Sequence, residues 1–391
     1  MRLGLLGSFG EGNFGNEWTL DAFIAFAQAQ RGDLEITIVT ETPDRALAAR
    51  GPTQPPIKAV TISSPHRPWG DGRLRRVRAR LSDMRWMWGV VGDLDAVVVP
   101  GTGILERLYM WPGGYPSVLA MVATVCRVRR VPFAMLGIGA EVAGDPVSRR
   151  LVAYTLRSAA LVTVRDEFSR RAVETMTSNR VSPEVQADFV LLDPTSERVD
   201  ADKDGDLVAL GVMDYRGAIH DPRSEDIAKE HRARLVALAR DLVAAGHEVL
   251  LVGGDEDDLE VADWMLGQVQ DDDLAERVSV LRTSSARDVA EALGRARVVL
   301  ATRYHSVVAA VAAGTPVVSF GYGPKNAELL AAVGLGRGDH PVHDADVAAL
   351  LAEVEATSKA ATAGRREFLA ARDALTAAGA PAAKGFVEGL P

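Results

Sequence analysis

Residues 298–326 read VVLATRYHSVVAAVAAGTPVVSFGYGPKN. The run 298–301 is short and apolar throughout, which predicts a strand buried on both faces. Residues 305–313 continue without a breaker and predict a helix, Gly314 and Pro316 stop it, and 316–320 predicts a second buried strand. Strand, crossover helix and strand are the unit of a parallel sheet. The same stretch excludes a spanning helix, because Gly314, Pro316, Gly321 and Gly323 break an uncharged window that would need about 20 continuous apolar residues.

Working outward, the pattern repeats on the N-terminal side: strands at 207–212, 248–252 and 278–281, with helices around 232–245, 259–269 and 286–293. A separate series fills the first half, with strands at 2–6, 35–40, 96–99, 132–136 and 161–164. Helical spacing is clearest at Leu20, Phe23, Ile24 and Ala27, and at Phe168, Ala172 and Val173. The class is α/β, and two Rossmann-like domains with a cleft between them are expected. The polar stretch 192–206, LDPTSERVDADKDGD, separates them. The expected organisation is an N-terminal domain over 1–193, a linker over 194–206, a C-terminal domain over 207–341 and a helical segment over 342–391 that can return to the first domain. This pattern resembles the GT-B architecture.

A chain of 391 residues with 47% hydrophobic and 25% charged residues is long and apolar enough to bury sizeable cores. Asp plus Glu number 53 against 44 Lys plus Arg, and the net charge of −9 argues against coating a nucleic acid. One cysteine, Cys126, cannot form an intrachain disulfide and lies in an apolar helical stretch, so it is expected in a core. The N-terminus lacks the apolar length and cleavage pattern of a signal peptide, so a cytoplasmic location is expected.

Three segments can carry chemistry. GSFGEGNFGN, residues 7–16, joins a strand to a helix, so Gly10 and its neighbours allow close backbone approach at a helix N-terminus, although a plain tight turn reads equally well. It is not a dinucleotide fingerprint and has no Walker lysine. Arg165 ends a strand and Asp166 is placed to cap the following helix, a pairing that suits a phosphate or carboxylate or makes an ordinary ion pair with Asp166 or Glu167. Asp188 either caps a turn or faces the same ligand. In 301–326, Arg303 and His305 lie at one strand-to-helix junction and Lys325 at the next, a fixed donor fork, a proton carrier and a mobile cation.

Two further stretches read as surface. Residues 73–88 form a basic amphipathic helix with Arg73, Arg75, Arg76, Arg78, Arg80 and Arg85 opposite Leu74, Val77, Leu81, Met84 and Trp88. That helix is either a solvated face or a peripheral contact with anionic lipid. The acidic runs 255–258 and 271–273 show no calcium-loop pattern and read as loop and helix-start charges, with no metal site expected.

Six segments, GSFGEGNFGNEWTL (7–20), VVVPGTGIL (97–105), PFAMLGIGAEV (132–142), VTVRDEFSRRAV (162–173), ADFVLLDP (187–194) and 301–326, stand in an order that resembles the polysaccharide pyruvyl transferase family over about residues 3–335. The resemblance implies a GT-B-like enzyme that moves the enolpyruvyl unit of phosphoenolpyruvate onto two sugar hydroxyls. It implies phosphoenolpyruvate as donor substrate, no cofactor, and a sugar or glycan acceptor that is often lipid-linked. On this reading His305 and Arg165 are catalytic, Arg303 and Lys325 bind the donor, and Gly10, Asn13, Asn16, Glu17 and Asp188 bind substrate. Two departures stand out. Where the family has N-x-G-D-E, this chain has Asn13-Phe14-Gly15-Asn16-Glu17, so an acceptor-side carboxylate is an amide. Where a carboxylate often precedes the lysine by two residues, it has Gly323. Two other readings fit the same fold: a nucleotide-sugar-dependent glycosyltransferase, for which Glu328 is the ribose-binding candidate, and a binding protein that has lost its chemistry.

Overall fold

The computed structural model describes residues 1–50, 57–62, 73–106, 109–193, 205–217, 221–269, 276–283, 285–336, 339–363 and 365–391. The expected linker at 194–206 falls almost wholly outside the described residues, as does the acidic run 271–273. In chain order the first half runs β1 (Arg2–Leu6), α1 (Phe14–Gln30), β2 (Glu35–Thr40), α2 (Pro43–Ala48), β3 (Lys58–Thr61), α3 (Arg73–Gly92), β4 (Ala96–Pro100), α4 (Tyr115–Arg129), β5 (Phe133–Ile138), α5 (Pro146–Ser158), β6 (Leu161–Val164), α6 (Glu167–Thr177), β7 (Glu184–Val185) and α7 (Phe189–Leu192). The second runs β8 (Leu207–Val212), α8 (Ser224–Ala244), β9 (Glu248–Gly253), α9 (Glu256–Val269), β10 (Val278–Val280), α10 (Ala286–Arg295), β11 (Val298–Ala301), α11 (Tyr304–Ala312), β12 (Val317–Ser319), α12 (Lys325–Ala332), α13 (Val347–Ala363), α14 (Arg365–Ala378) and α15 (Pro381–Glu388).

These elements form two compact units. The first takes Met1–Glu11, Thr19–Phe189 and Gly379–Pro391. Its sheet is parallel throughout, in the order β3-β2-β1-β4-β5-β6-β7. The central strands β4 and β5 are buried at every residue, as continuous apolar runs in a covered parallel sheet should be. Helix ends are set by local chemistry. Asp145 caps α5 by accepting from the Val147 and Ser148 amides, with Pro146 in the first turn. The Asp166 carboxylate accepts from the Ser169 amide at 2.6 Å, the cap expected for α6. Cys126 is buried in the core and burial pushes its thiol up to about 12. The last helix returns to this unit: α15 lies on β6, and the Ala187 amide donates to the Gly379 carbonyl.

The second unit takes Gly12–Trp18 and Val190–Ala378. Its sheet is also parallel, in the order β10-β9-β8-β11-β12. In both sheets the strand order reverses beside the first strand, at β1/β4 and at β8/β11, the place where ligands bind to open α/β sheets. Helices α13 and α14 of the C-terminal segment belong to this unit, and α13 packs on α8, β11 and β12.

His231 on α8 is enclosed in the second core, with ring centroids 5.6 Å from Tyr215 and 6.2 Å from Phe320. Burial, then the nearby Arg234 cation, lowers its pKa from 6.5 to about 4. Between those values the unfolded chain binds a proton that the native state refuses. Stability from this group is therefore complete above pH 6.5 and is lost as pH falls to about 4, by roughly 3 kcal/mol. His231→Phe is expected to flatten the acid side of stability against pH, measured by urea unfolding; an unchanged slope would remove His231 as its source.

Candidate active site

In the second unit the β11–α11 junction lies at the sheet's reversal point and carries two of the expected residues. Arg303 occupies the N-cap position of α11 with extended backbone (φ −84°, ψ 141°), and His305 stands in the helix's first turn. Arg303 was expected as a donor fork open to a ligand. Instead its Nη2 donates to Asp258 Oδ1 at 2.7 Å, its Nε pairs with the other oxygen of the same carboxylate, and Nη2 also pairs with Asp255. The reason is that Asp258 is completely buried at the start of α9 and accepts from the backbone amides of Asp214 (3.0 Å) and Gly254 (2.9 Å), so only a cation completes its surroundings. The run 255–258, read as loop and helix-start charge, is thus the seat of Arg303. Burial, with Asp258 alongside, raises the pKa of Asp255. The carboxylates hold Arg303 firmly in its charged form.

Around this pair the other groups converge. A Cβ on Gly254 would lie 2.3 Å from Arg303 Cδ, so the guanidinium stem runs directly over that backbone. The Gly254 carbonyl accepts from the Phe14 amide at 3.0 Å. The next residue, Gly15, packs against the His305 ring, and a Cβ there would stand 2.0 Å from Nδ1. Gly15 is required by space rather than by backbone conformation.

Lys325 opens α12 and is buried to 9% exposure. Its Nζ donates to the Tyr322 hydroxyl at 3.1 Å, lies 4.7 Å from that ring's centroid and 5.8 Å from that of Tyr304. Tyr304 in turn meets the His305 ring edge to face at 5.4 Å. The two tyrosines thus flank Lys325, and Tyr304 also meets His305. Sequence reading missed Tyr304, Tyr322, Asp255 and Asp258 as site residues.

The segment Gly12–Trp18 supplies the remaining members in this unit. Asn13 Oδ1 accepts from the Asn16 amide at 3.1 Å and so caps α1. Asn16 is buried and Glu17 half-buried in the helix's first turn.

Arg165, Gly10 and Asp188 belong to the first unit. The Arg165 side chain is 2% exposed and donates to Glu106 at 2.8 Å, with Asp166 3.6 Å away. This is a buried pair rather than the surface pair that sequence allows, and the chief partner comes from the loop after β4. Bare backbone makes the room, since Cβ atoms on Gly139 and Gly103 would stand 2.4 Å from Arg165 Nη2 and 2.6 Å from Glu106 Oε1. Gly10 has φ +76° and faces the Thr42 and Ala46 backbone, with a Cβ 2.6 Å from the Ala46 nitrogen, so its conformation and its packing both demand glycine. Asp188 is buried between β7 and α7.

The profile of the polysaccharide pyruvyl transferase family matches residues 13–324. The chain belongs to that family. The match takes in Arg165, Arg303 and His305, and stops one residue before Lys325. This pyruvyl transferase family member matches none of the curated protein sequences. Among solved structures it is similar to UDP-GlcNAc 2-epimerase from Methanocaldococcus jannaschii, at 11% identity and TM-score 0.59 over 91% of this chain and 92% of that one. The Neisseria meningitidis UDP-GlcNAc 2-epimerase, solved bound to UDP-GlcNAc, gives 12% identity and TM-score 0.57 over 99% and 98%. Acinetobacter baumannii MurG gives 16% and 0.53 over 100% and 98%. These likenesses establish the fold as GT-B-like, two Rossmann-like units in one chain, as the sequence pattern led us to expect.

Proposed function

We propose that this pyruvyl transferase uses phosphoenolpyruvate as donor and a glycan hydroxyl pair, in a free or lipid-linked precursor, as acceptor. The observation that carries the reading is the meeting of His305 with the Tyr304, Lys325 and Tyr322 cluster on the strand ends that also bear Arg303. Such a site offers the Lys325 charge and a proton carrier to a ligand with a carboxylate and a phosphate. The Gly12–Trp18 segment, with Asn16 and Glu17, takes the acceptor side, which is supported by Gly15 lying against His305.

In the proposed reaction the donor methylene takes a proton and becomes methyl. A sugar hydroxyl attacks the adjoining carbon, the bond from that carbon to the phosphate oxygen breaks, and a second hydroxyl closes the ketal. One hydroxyl proton is accounted for by the new methyl group and the other by the departing phosphate, so the step balances without a cofactor. His305 carries the proton, either to the methylene or to the leaving phosphate. On this reading Lys325 meets the phosphate as a point charge.

The test incubates the protein with phosphoenolpyruvate and a panel of glycans bearing paired hydroxyls, following phosphate release and acceptor mass. Phosphoenolpyruvate near a hundred times its Kd should also raise the thermal midpoint by several degrees, from about 2.7 kcal/mol of linkage. Stabilisation by UDP and not by phosphoenolpyruvate would replace this reading with nucleotide-sugar transfer. No response to either would leave a binding protein.

A further inference from the structure

We propose that the first unit carries a docking face for an anionic bilayer, formed by the outward side of α3, the loop before α4 and the end of α4. The helix turns Ala79, Asp83, Met87 and Val91 to the core. Its bulkier apolar side chains go the other way: Leu81, Met84 and Trp88 are 64%, 38% and 43% exposed. Their spacing of three and four places them on one stripe, a ridge pointing into water.

The ridge continues onto neighbouring segments. Trp111 and Val128 are 51% and 62% exposed. Arg80 donates to the Gly113 carbonyl at 2.7 Å, and the Arg129 guanidinium lies 4.9 Å from the Trp88 ring, so the loop and the end of α4 adjoin the helix.

Charge chooses the occupant. Arg78 and Arg85 are exposed on α3, and Arg127, Arg129 and Arg130 at the end of α4. The one acidic residue in 73–92 is Asp83, which is buried and lies 3.9 Å from Arg80, and 107–131 has none. A chain with net charge −9 thus gathers arginines around exposed tryptophan and leucine, with no exposed carboxylate on these segments. Indole and aliphatic groups at headgroup depth with guanidinium groups on lipid phosphates match that distribution. Among the described residues no helix is long and apolar enough to cross a membrane, so the contact is peripheral.

Sedimentation of the full chain with vesicles tests this independently of the donor and acceptor. Binding to phosphatidylcholine vesicles containing about 30% phosphatidylglycerol should exceed binding to pure phosphatidylcholine at least about tenfold and should weaken with salt. Leu81→Ser with Trp88→Ser, and separately Arg78→Glu with Arg85→Glu, should each lower it about tenfold at unchanged thermal midpoint. Equal binding to both vesicles, binding to neither, or variants that bind like wild type would overturn the proposal. So would a dimer, measured by light scattering, that both variants dissociate, since the face would then belong to a second copy.

Discussion

His305→Ala is expected to lower turnover about 10²–10⁴-fold while leaving stabilisation by phosphoenolpyruvate largely in place. A proton carrier acts in the transition state more than in ground-state binding, so kcat should fall and KM should change little. Gly15→Ala provides the companion test. It leaves the imidazole present but sets a methyl where the ring now lies, 2.0 Å from Nδ1, so the ring must move. Because a small displacement of a reacting group can cost about 10²-fold, this variant should lose activity by a similar route. The measurement is steady-state phosphate release, with circular dichroism confirming that both variants fold. Wild-type kcat in both would take His305 out of the chemistry, whatever the family.

Asp258→Ala should produce the largest loss of stability in the second unit, about 3–5 kcal/mol. The carboxylate accepts from two backbone amides and from Arg303, so its removal leaves two amides unpaired and a buried guanidinium with Asp255 as its remaining acidic partner. Asp258→Asn keeps the shape and one acceptor and should cost less. Replacing both partners, Asp258→Leu with Arg303→Met, should recover only part of the loss, because the guanidinium goes together with its buried carboxylate while Asp255 loses its cation. Urea unfolding of the four proteins reads this directly. An Asp258→Ala variant within about 1 kcal/mol of wild type would show that the pair contributes little to stability.

These two residues mark what the sequence disclosed and what it hid. His305 and Arg303 were legible because a strand ending in a helix start is a local pattern, and both lie within a few residues of the break. Asp258 was not, because its pairing with Arg303 spans 45 positions, and the Glu106–Arg165 pair spans 59. Local spacing carries no information about such contacts.

Secondary structure divides in the same way. Strands β1, β4, β6, β8 and β11 are nearly continuous apolar runs and, with the half-polar β2, were found almost to the residue. The edge strands β3 and β7 were not, since Lys58–Thr61 has no buried residue and Glu184–Val185 is exposed, so neither has a buried face to write into the sequence. On α3 the helix was found, but Leu81, Met84 and Trp88, expected opposite the arginines, are exposed as Arg78 and Arg85 are, while the side chains at 73–77 lie outside the described residues. Amphipathicity says that a helix has two sides. It does not say which side the rest of the protein covers.

The return of Gly379–Pro391 to the first unit bears on how the molecule is made. Ribosomes deliver the N-terminal sheet early, yet α15, which lies on β6, emerges only after the whole second unit has been synthesised. Until then β6 awaits a covering made last, while the other unit, Gly12–Trp18 with Val190–Ala378, has all of its parts once α14 is made. A stop codon near residue 378 would therefore harm the half of the protein encoded farthest from it, and neither half can be excised by a single proteolytic cut.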